Sequence, residues 1–277
     1  MAKIIAMMNQ KGGVGKTTSS VNLAACLAVA EKRTLLIDLD PQGNGSTSVG
    51  LDKSEFAQGN IYQVLIGERP MSKAIYKTEL PSFDICPSDN NLSGAEIELV
   101  SVFAREQKLK NAFKEIRDDY DYIIIDCPPS LGLLTVNALT AADSYIVPMQ
   151  TEFLAMEGLS QLLNTVRMIK ASLNPLLELD GILLTMFNKG TSLHNQVVEE
   201  IRNHFEDKVF KSIIPRNVKL AECPSFGKPI ILYDIKSKGS EAYLSLAKEI
   251  LLKERIAENL HRQNQASTSQ ETTNYIN

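Results

Sequence analysis

Residues 3–20 read KIIAMMNQKGGVGKTTSS. A short apolar run leads into a glycine-rich turn, and the turn leads into a segment with Val21, Ala24, Ala25 and Ala28 at helical spacing. Strand, glycine turn and helix in that order are the setting a phosphate-binding loop requires. Gly12, Gly13 and Gly15 free the backbone to aim N–H groups at an anion, and the helix N-terminus adds partial positive charge. The backbone from Gly12 through Val14 and Gly15 to Thr18 is therefore expected to line phosphates. Lys16 can reach the β and γ phosphates of a nucleotide, and Thr17 can offer its hydroxyl to Mg2+. One position breaks the usual spacing G-x-x-x-x-G-K-[ST]. Where the first glycine belongs stands Gln10, followed by a cation, Lys11.

Further along, short runs rich in Ile, Leu and Val alternate with amphipathic segments. The runs are residues 3–8, 34–40, 83–86, 122–128, 144–149 and 181–187, with 211–215 as a seventh candidate. They do not alternate with polar residues, which is how strands buried on both faces read. Leu193, Val197, Ile201 and Phe205 mark a later helical face. The pattern predicts an α/β fold: a single domain with a mainly parallel, twisted β-sheet and helices on both faces. Ligands then belong at the carboxyl ends of the strands. The domain is expected to span residues 1–261. Residues 262–277, nearly free of apolar side chains, are expected to form a disordered tail.

Two acidic stretches fit a metal-bound phosphate. In IIIDCPPS, Asp126 ends a very apolar strand, where a lone carboxylate is costly to desolvate unless a cation compensates it. Asp126 is thus a Walker B candidate for holding Mg2+. In LLIDLDPQGN, alternation sends Asp38 and Asp40 to one side. One can support the metal while the other orients an attacking water.

The chain has 277 residues, 44% of them hydrophobic and 22% charged, ordinary values for a globular protein. No apolar run reaches the length of a spanning helix. The N-terminal apolar stretch is too short for a secretory signal, so a cytoplasmic location is expected. Cys26, Cys86, Cys127 and Cys223 form no C-x-x-C pair and read as buried free thiols, though a cluster shared across a dimer axis stays open. The net charge of −4 argues against indiscriminate polyanion binding by the whole surface.

Together KGGVGKTT, DLDPQGN and DCPPSLG resemble the motifs of deviant Walker A ATPases. With GAEIELV, EGLSQLLNTV, IPRNVKLAECPSFGKPI and YDIKSKGSEAYLSLAKE, the chain from Met1 to about Leu252 resembles the ParA/Soj family of chromosome and plasmid partition proteins. That resemblance implies an ATPase that hydrolyses ATP to ADP and phosphate with Mg2+. It implies a homodimer with two ATP molecules sandwiched between the chains, Lys11 crossing to the partner's nucleotide. Lys11, Lys16 and Asp40 are then the catalytic set, Asp40 positioning the hydrolytic water. Thr17, Asp38 and Asp126 attend the metal, and Pro215 and Asn217 lie at the adenine.

From residue 186 to 238 there are nine Lys or Arg and six Asp or Glu, a local balance of +3. Spaced cations suit phosphate-backbone binding without base reading. The resemblance implies non-specific duplex DNA held by Lys189 and Lys219, with Arg216, Lys236 and Lys238 behind them. It also implies nucleoid association and a stimulating centromere-binding partner of the ParB/Spo0J kind. No N-terminal helix-turn-helix extension is seen, so operator-specific repression is not expected. Two alternatives share the core. A MinD-like membrane-surface ATPase would use a thin stripe of Leu252, Ile256 and Leu260, which Glu254 and Glu258 oppose on anionic lipid; stable membrane binding is not expected. An iron–sulfur reductase or an ATP-dependent ligase is the other.

Overall fold

The structure, a computed structural model, describes residues 1–56, 59–152 and 155–274. The six apolar runs are strands. In chain order they are β1 (Lys3–Met7), β2 (Thr34–Asp38), β4 (Phe83–Cys86), β5 (Tyr122–Asp126), β6 (Ser144–Gln150) and β7 (Glu178–Thr185), with β3 (Tyr76–Lys77) between β2 and β4. The sheet order is β3-β4-β2-β5-β1-β6-β7. All pairings are parallel except the edge pair of β3 with β4.

Alternation along the strands divides the apolar side chains between two cores. Ile4, Ala6, Leu35, Ile37, Ile123 and Ile125 face one. Ile5, Met7, Leu36, Ile124 and Leu183 face the other, which helix Lys16–Val29 and the last helix cover through Leu23, Leu27, Tyr243 and Leu246. Each such Ile, Leu or Met side chain contributes about 1.5–3 kcal/mol on full burial. A slip of one residue would exchange the two sets, so burial on both faces fixes the register.

Two sequence expectations are corrected. Residues 211–215 form no strand; they touch the sheet only near isolated bridges, Ile182 with Val209 and Phe187 with Pro215. The backbone N–H groups of Lys211 and Ser212 donate instead to the Glu249 carboxylate of the last helix, at 2.8 and 3.0 Å. A ladder deprived of two consecutive donors does not propagate. The seventh strand is β3, too short for any periodicity to announce. Leu193 is also misplaced on the predicted face: it is exposed, whereas Val197 and Ile201 are buried.

The final helix is Lys238–Asn274, so helical backbone extends into the stretch whose polar composition predicts disorder. No Pro or Gly falls between Ser240 and Asn274 to stop it. Residues 275–277 of that expected tail lie outside the described residues.

Candidate functional site

β1 lies between β5 and β6, so the chain leaves it in opposite directions around the sheet. The turn after β1 therefore opens into the crevice where ligands of such sheets bind. Gly13 and Gly15 take left-handed φ values of 72° and 84°, which only glycine adopts without strain. Gly15 is also the N-cap of helix Lys16–Val29. It supplies no side-chain cap, and the first turn holds no acid. The helix start thus keeps its backbone donors and its dipole for a ligand.

Lys16 is buried, and its ammonium spans the loop to donate to the Lys11 carbonyl at 3.1 Å. Burial lowers its pKa, while the charges of Asp126 and Asp40 oppose that shift. Asp126 pairs in register with Met7 on one side and Asp38 on the other, so both carboxylates face helix Lys16–Val29. The Ser20 hydroxyl donates to Asp126 Oδ1 at 2.9 Å, but buried Oδ2 has no partner. Burial first, then the Asp38 charge, raises the pKa of Asp126, while the Thr17 and Ser20 hydroxyls pull it down. An orphaned carboxylate oxygen beside a threonine hydroxyl is the donor set that a hard divalent cation such as Mg2+ accepts.

Asp38 does different work. Its Oδ2 accepts from the backbone N–H and the hydroxyl of Ser46, both at 2.7 Å, and its Oδ1 accepts from the Asp40 N–H at 3.3 Å. The loop after β2 engages both oxygens of this carboxylate, so of the two carboxylates expected at the metal, Asp38 and Asp126, it is Asp126 that keeps an unpartnered oxygen. Asp40 is buried beyond the strand end; its Oδ1 accepts from the Gln42 N–H at 3.0 Å.

Next to Gly15 and Thr18 lies a cavity of about 240 Å³, lined also by Thr185, Pro215, Asn217 and Tyr243. Pro215 and Asn217, expected at the adenine, thus share one cavity wall with the glycine loop. Asn217 caps a short helix, its side chain accepting from Leu220 N–H at 3.3 Å. Lys11 is exposed, and its ammonium pairs with Glu152 at 2.5 Å within the same chain.

Lys189, Arg216, Lys219, Lys236 and Lys238 are all exposed. The Lys189 loop and the Arg216 segment are joined by backbone bonds: Phe187 N–H to Ile214 carbonyl and Arg216 N–H to Phe187 carbonyl. Lys219 is engaged already, with Glu222 at 2.9 Å and the Tyr233 ring at 5.6 Å.

Several contributors went unread in the sequence. Gln150 Nε2 donates to the Gly13 carbonyl at 2.9 Å and Thr185 Oγ1 to the Val14 carbonyl at 2.8 Å. Met186, at the pocket wall, holds φ 52°. Their one signal is position, at the carboxyl ends of β6 and β7. All four cysteines are buried and unpaired, and among the described residues no cluster of His, Cys, Asp and Glu is arranged for a metal. Among the same residues no helix is long and apolar enough to cross a membrane.

Residues 2–179 match the AAA domain family. Over 251 residues the chain is 55% identical to the chromosome partitioning protein ParA of Myxococcus xanthus, covering 91% of this chain and 88% of that one. It is also 55% identical over 250 residues to the sporulation initiation inhibitor protein Soj of Bacillus subtilis, covering 90% and 98%. The cobyrinic acid a,c-diamide synthase of Mycobacterium smegmatis, solved with ADP and magnesium, superposes with a TM-score of 0.80 at 37% identity, covering 91% and 94%.

Proposed function

The chain belongs to the ParA/Soj family of partition ATPases, and from that premise we propose that it is an ATP-driven DNA-partition protein. The observation that carries the nucleotide part is the juxtaposition of the glycine loop, buried Lys16 and the unpartnered Asp126 oxygen. In this reading Gly12–Thr18 cradle the phosphates of ATP, and Lys16 swings from the Lys11 carbonyl onto the β and γ oxygens. Thr17 and Asp126 hold Mg2+, which neutralises phosphate charge when bound. Asp38 braces the loop that presents Asp40, and Asp40 orients the attacking water. Pro215 and Asn217 flank the adenine.

Pairing of two chains follows from Lys11. An exposed ion pair such as Lys11–Glu152 contributes only about 0.2–1 kcal/mol. A triphosphate in a water-poor interface offers much more. Lys11 therefore leaves Glu152 when a partner's nucleotide comes within reach, and ATP loading becomes homodimerisation. Pairing doubles the surface of Lys189, Arg216, Lys219, Lys236 and Lys238, so affinity for arbitrary duplex rises with ATP through multivalency. The setting is cytoplasmic and nucleoid-associated, with a ParB/Spo0J-like protein stimulating hydrolysis. The 55% identity to partition proteins, against 37% to the diamide synthase, favours this over ligase chemistry on the same core.

A second reading, a MinD-like membrane-surface ATPase, has one observation in favour: Leu252 and Ile256 are 56% and 51% exposed on the last helix. Liposome sedimentation with ATP tests it. The main test is duplex binding at low salt with ATP and with ADP. ATP-dependent affinity for arbitrary sequence is expected; equal affinity in both states refutes the partition reading.

A further inference from the structure

The end of β6 is sewn to the phosphate loop. Asn9 Nδ2 donates to the Pro148 carbonyl at 2.7 Å, Gln150 Nε2 donates to the Gly13 carbonyl, and Glu152 holds Lys11. One side chain carries this seam outward. Half-buried His194, in the first turn of helix Ser192–Phe205, places Nδ1 2.7 Å from Thr151 Oγ1 and 3.2 Å from the backbone N of Asn188. The Asn188 N–H can only donate, so Nδ1 carries the lone pair and the ring proton sits on Nε2. The Thr151 hydroxyl addresses that same nitrogen. The next residue, Asn195, donates from Nδ2 to the Lys189 carbonyl at 3.2 Å. The loop bearing Lys189 thus hangs from two successive side chains of one helical turn. One of them touches the neighbour of Glu152.

We propose that His194 is a positioning residue that couples the Lys11–Glu152 pair to the placement of Lys189 on nucleic-acid phosphate. This rests on the reading that Lys11 leaves Glu152 on pairing and that Lys189 meets DNA. The Nδ1 lone pair serves two donors. While Glu152 holds Lys11, Thr151 and Asn188 share it. When Lys11 departs, Thr151 moves with Glu152 and the lone pair passes to Asn188 N–H, fixing the loop behind Lys189. The strained φ of Met186 gives that loop its pivot beside the nucleotide pocket. Coupling is reciprocal, so duplex must in turn favour ATP-dependent pairing through the same ring.

The test compares full-length wild type, His194→Ala, His194→Asn, Lys189→Ala and the double variant His194→Ala/Lys189→Ala. Affinity for a random-sequence duplex is measured by fluorescence anisotropy across a salt series, with ATP and with ADP. Pairing is followed by size-exclusion chromatography. His194→Ala is expected to pair with ATP yet lose about 0.9 of log–log salt slope per chain, about 2 per dimer, because one phosphate contact per protomer is gone. Lys189→Ala should lose the same slope and the double variant no more. Asn places Oδ1 near the Nδ1 position and should restore the wild-type slope. A wild-type slope in His194→Ala, or additive losses in the double variant, overturns the proposal. A wild-type protein without ATP-dependent duplex affinity overturns instead the DNA reading beneath it. If His194→Ala does not fold, Thr151→Val against Thr151→Ser carries the test: Val leaves the lone pair to Asn188 N–H in both nucleotide states, so it should keep the ATP slope and raise duplex affinity with ADP, while Ser should match wild type; a Val variant that loses slope with ATP, or matches wild type with ADP, overturns the proposal.

Discussion

Replacing Asp126 by asparagine should stabilise the nucleotide-free protein while destroying its response to Mg2+. The carboxyl is fully buried, one oxygen is unpartnered, and Asp38 lies beside it on the neighbouring strand. Burial and the Asp38 charge lift its pKa from 3.8 to about 7. The folded carboxyl keeps its proton to higher pH than the unfolded one. Wild-type protein therefore loses stability as pH rises from about 4 to about 7, and the full loss stands above that. At pH 8 the charged form is penalised by about 4 kcal/mol, an order-of-magnitude figure. The amide keeps the acceptor used by Ser20 but puts a donor where the orphan oxygen was, which takes back about 1–3 kcal/mol. The expected net gain at pH 8 is about 1–3 kcal/mol, or roughly 2–8 °C in Tm. The more discriminating quantity is pH dependence, because the amide's own penalty does not titrate. The advantage of asparagine should shrink by about 2–3 kcal/mol from pH 8 to pH 5. Urea unfolding of both proteins at pH 5 and pH 8 measures it, and a thermal shift with Mg·ATP supplies the functional half, expected in wild type alone. An asparagine variant less stable than wild type at pH 8, or a gain independent of pH, would refute the reasoning.

Lys11→Ala should leave nucleotide affinity within a few-fold of wild type yet remain a monomer with ATP in size-exclusion chromatography; an ATP-dependent dimer of this variant contradicts the role given to Lys11. Asp40→Ala should bind ATP and accumulate as a dimer, with turnover lower by about 10²–10⁴; phosphate release at the wild-type rate removes Asp40 from the mechanism. Gly227 has φ 63°, and a Cβ there would lie 2.6 Å from Gly50 Cα. Gly227→Ala should therefore destabilise by roughly 2–3 kcal/mol, visible as a lower urea midpoint, and an unchanged midpoint would show that the two loops part freely.

The phosphate loop, the parallel sheet and the acid at the end of β5 were legible because each is encoded locally. Left-handed φ at Gly13 and Gly15, two-faced burial along Tyr122–Asp126 and the helix start at Lys16 depend on neighbours a few residues away. Where the reading failed, a distant group intervened. Residues 211–215 look like a strand, yet Glu249 of the last helix takes their donors. A distant contact also shapes Asp38, expected at the metal: Ser46 donates twice to its carboxylate.

The sequence by itself determined where the glycine turn after β1 falls and which acids end the strands, since backbone sterics and strand alternation act over short range. Only the tertiary structure decided that Asp126 keeps the free oxygen. It alone set Glu152 against Lys11 and hung the Lys189 loop from His194. Those meetings depend on sheet order, which brings the ends of β6 and β7 beside β1. Sheet order is set by the burial of two whole faces at once, a sum over the chain that no single stretch carries.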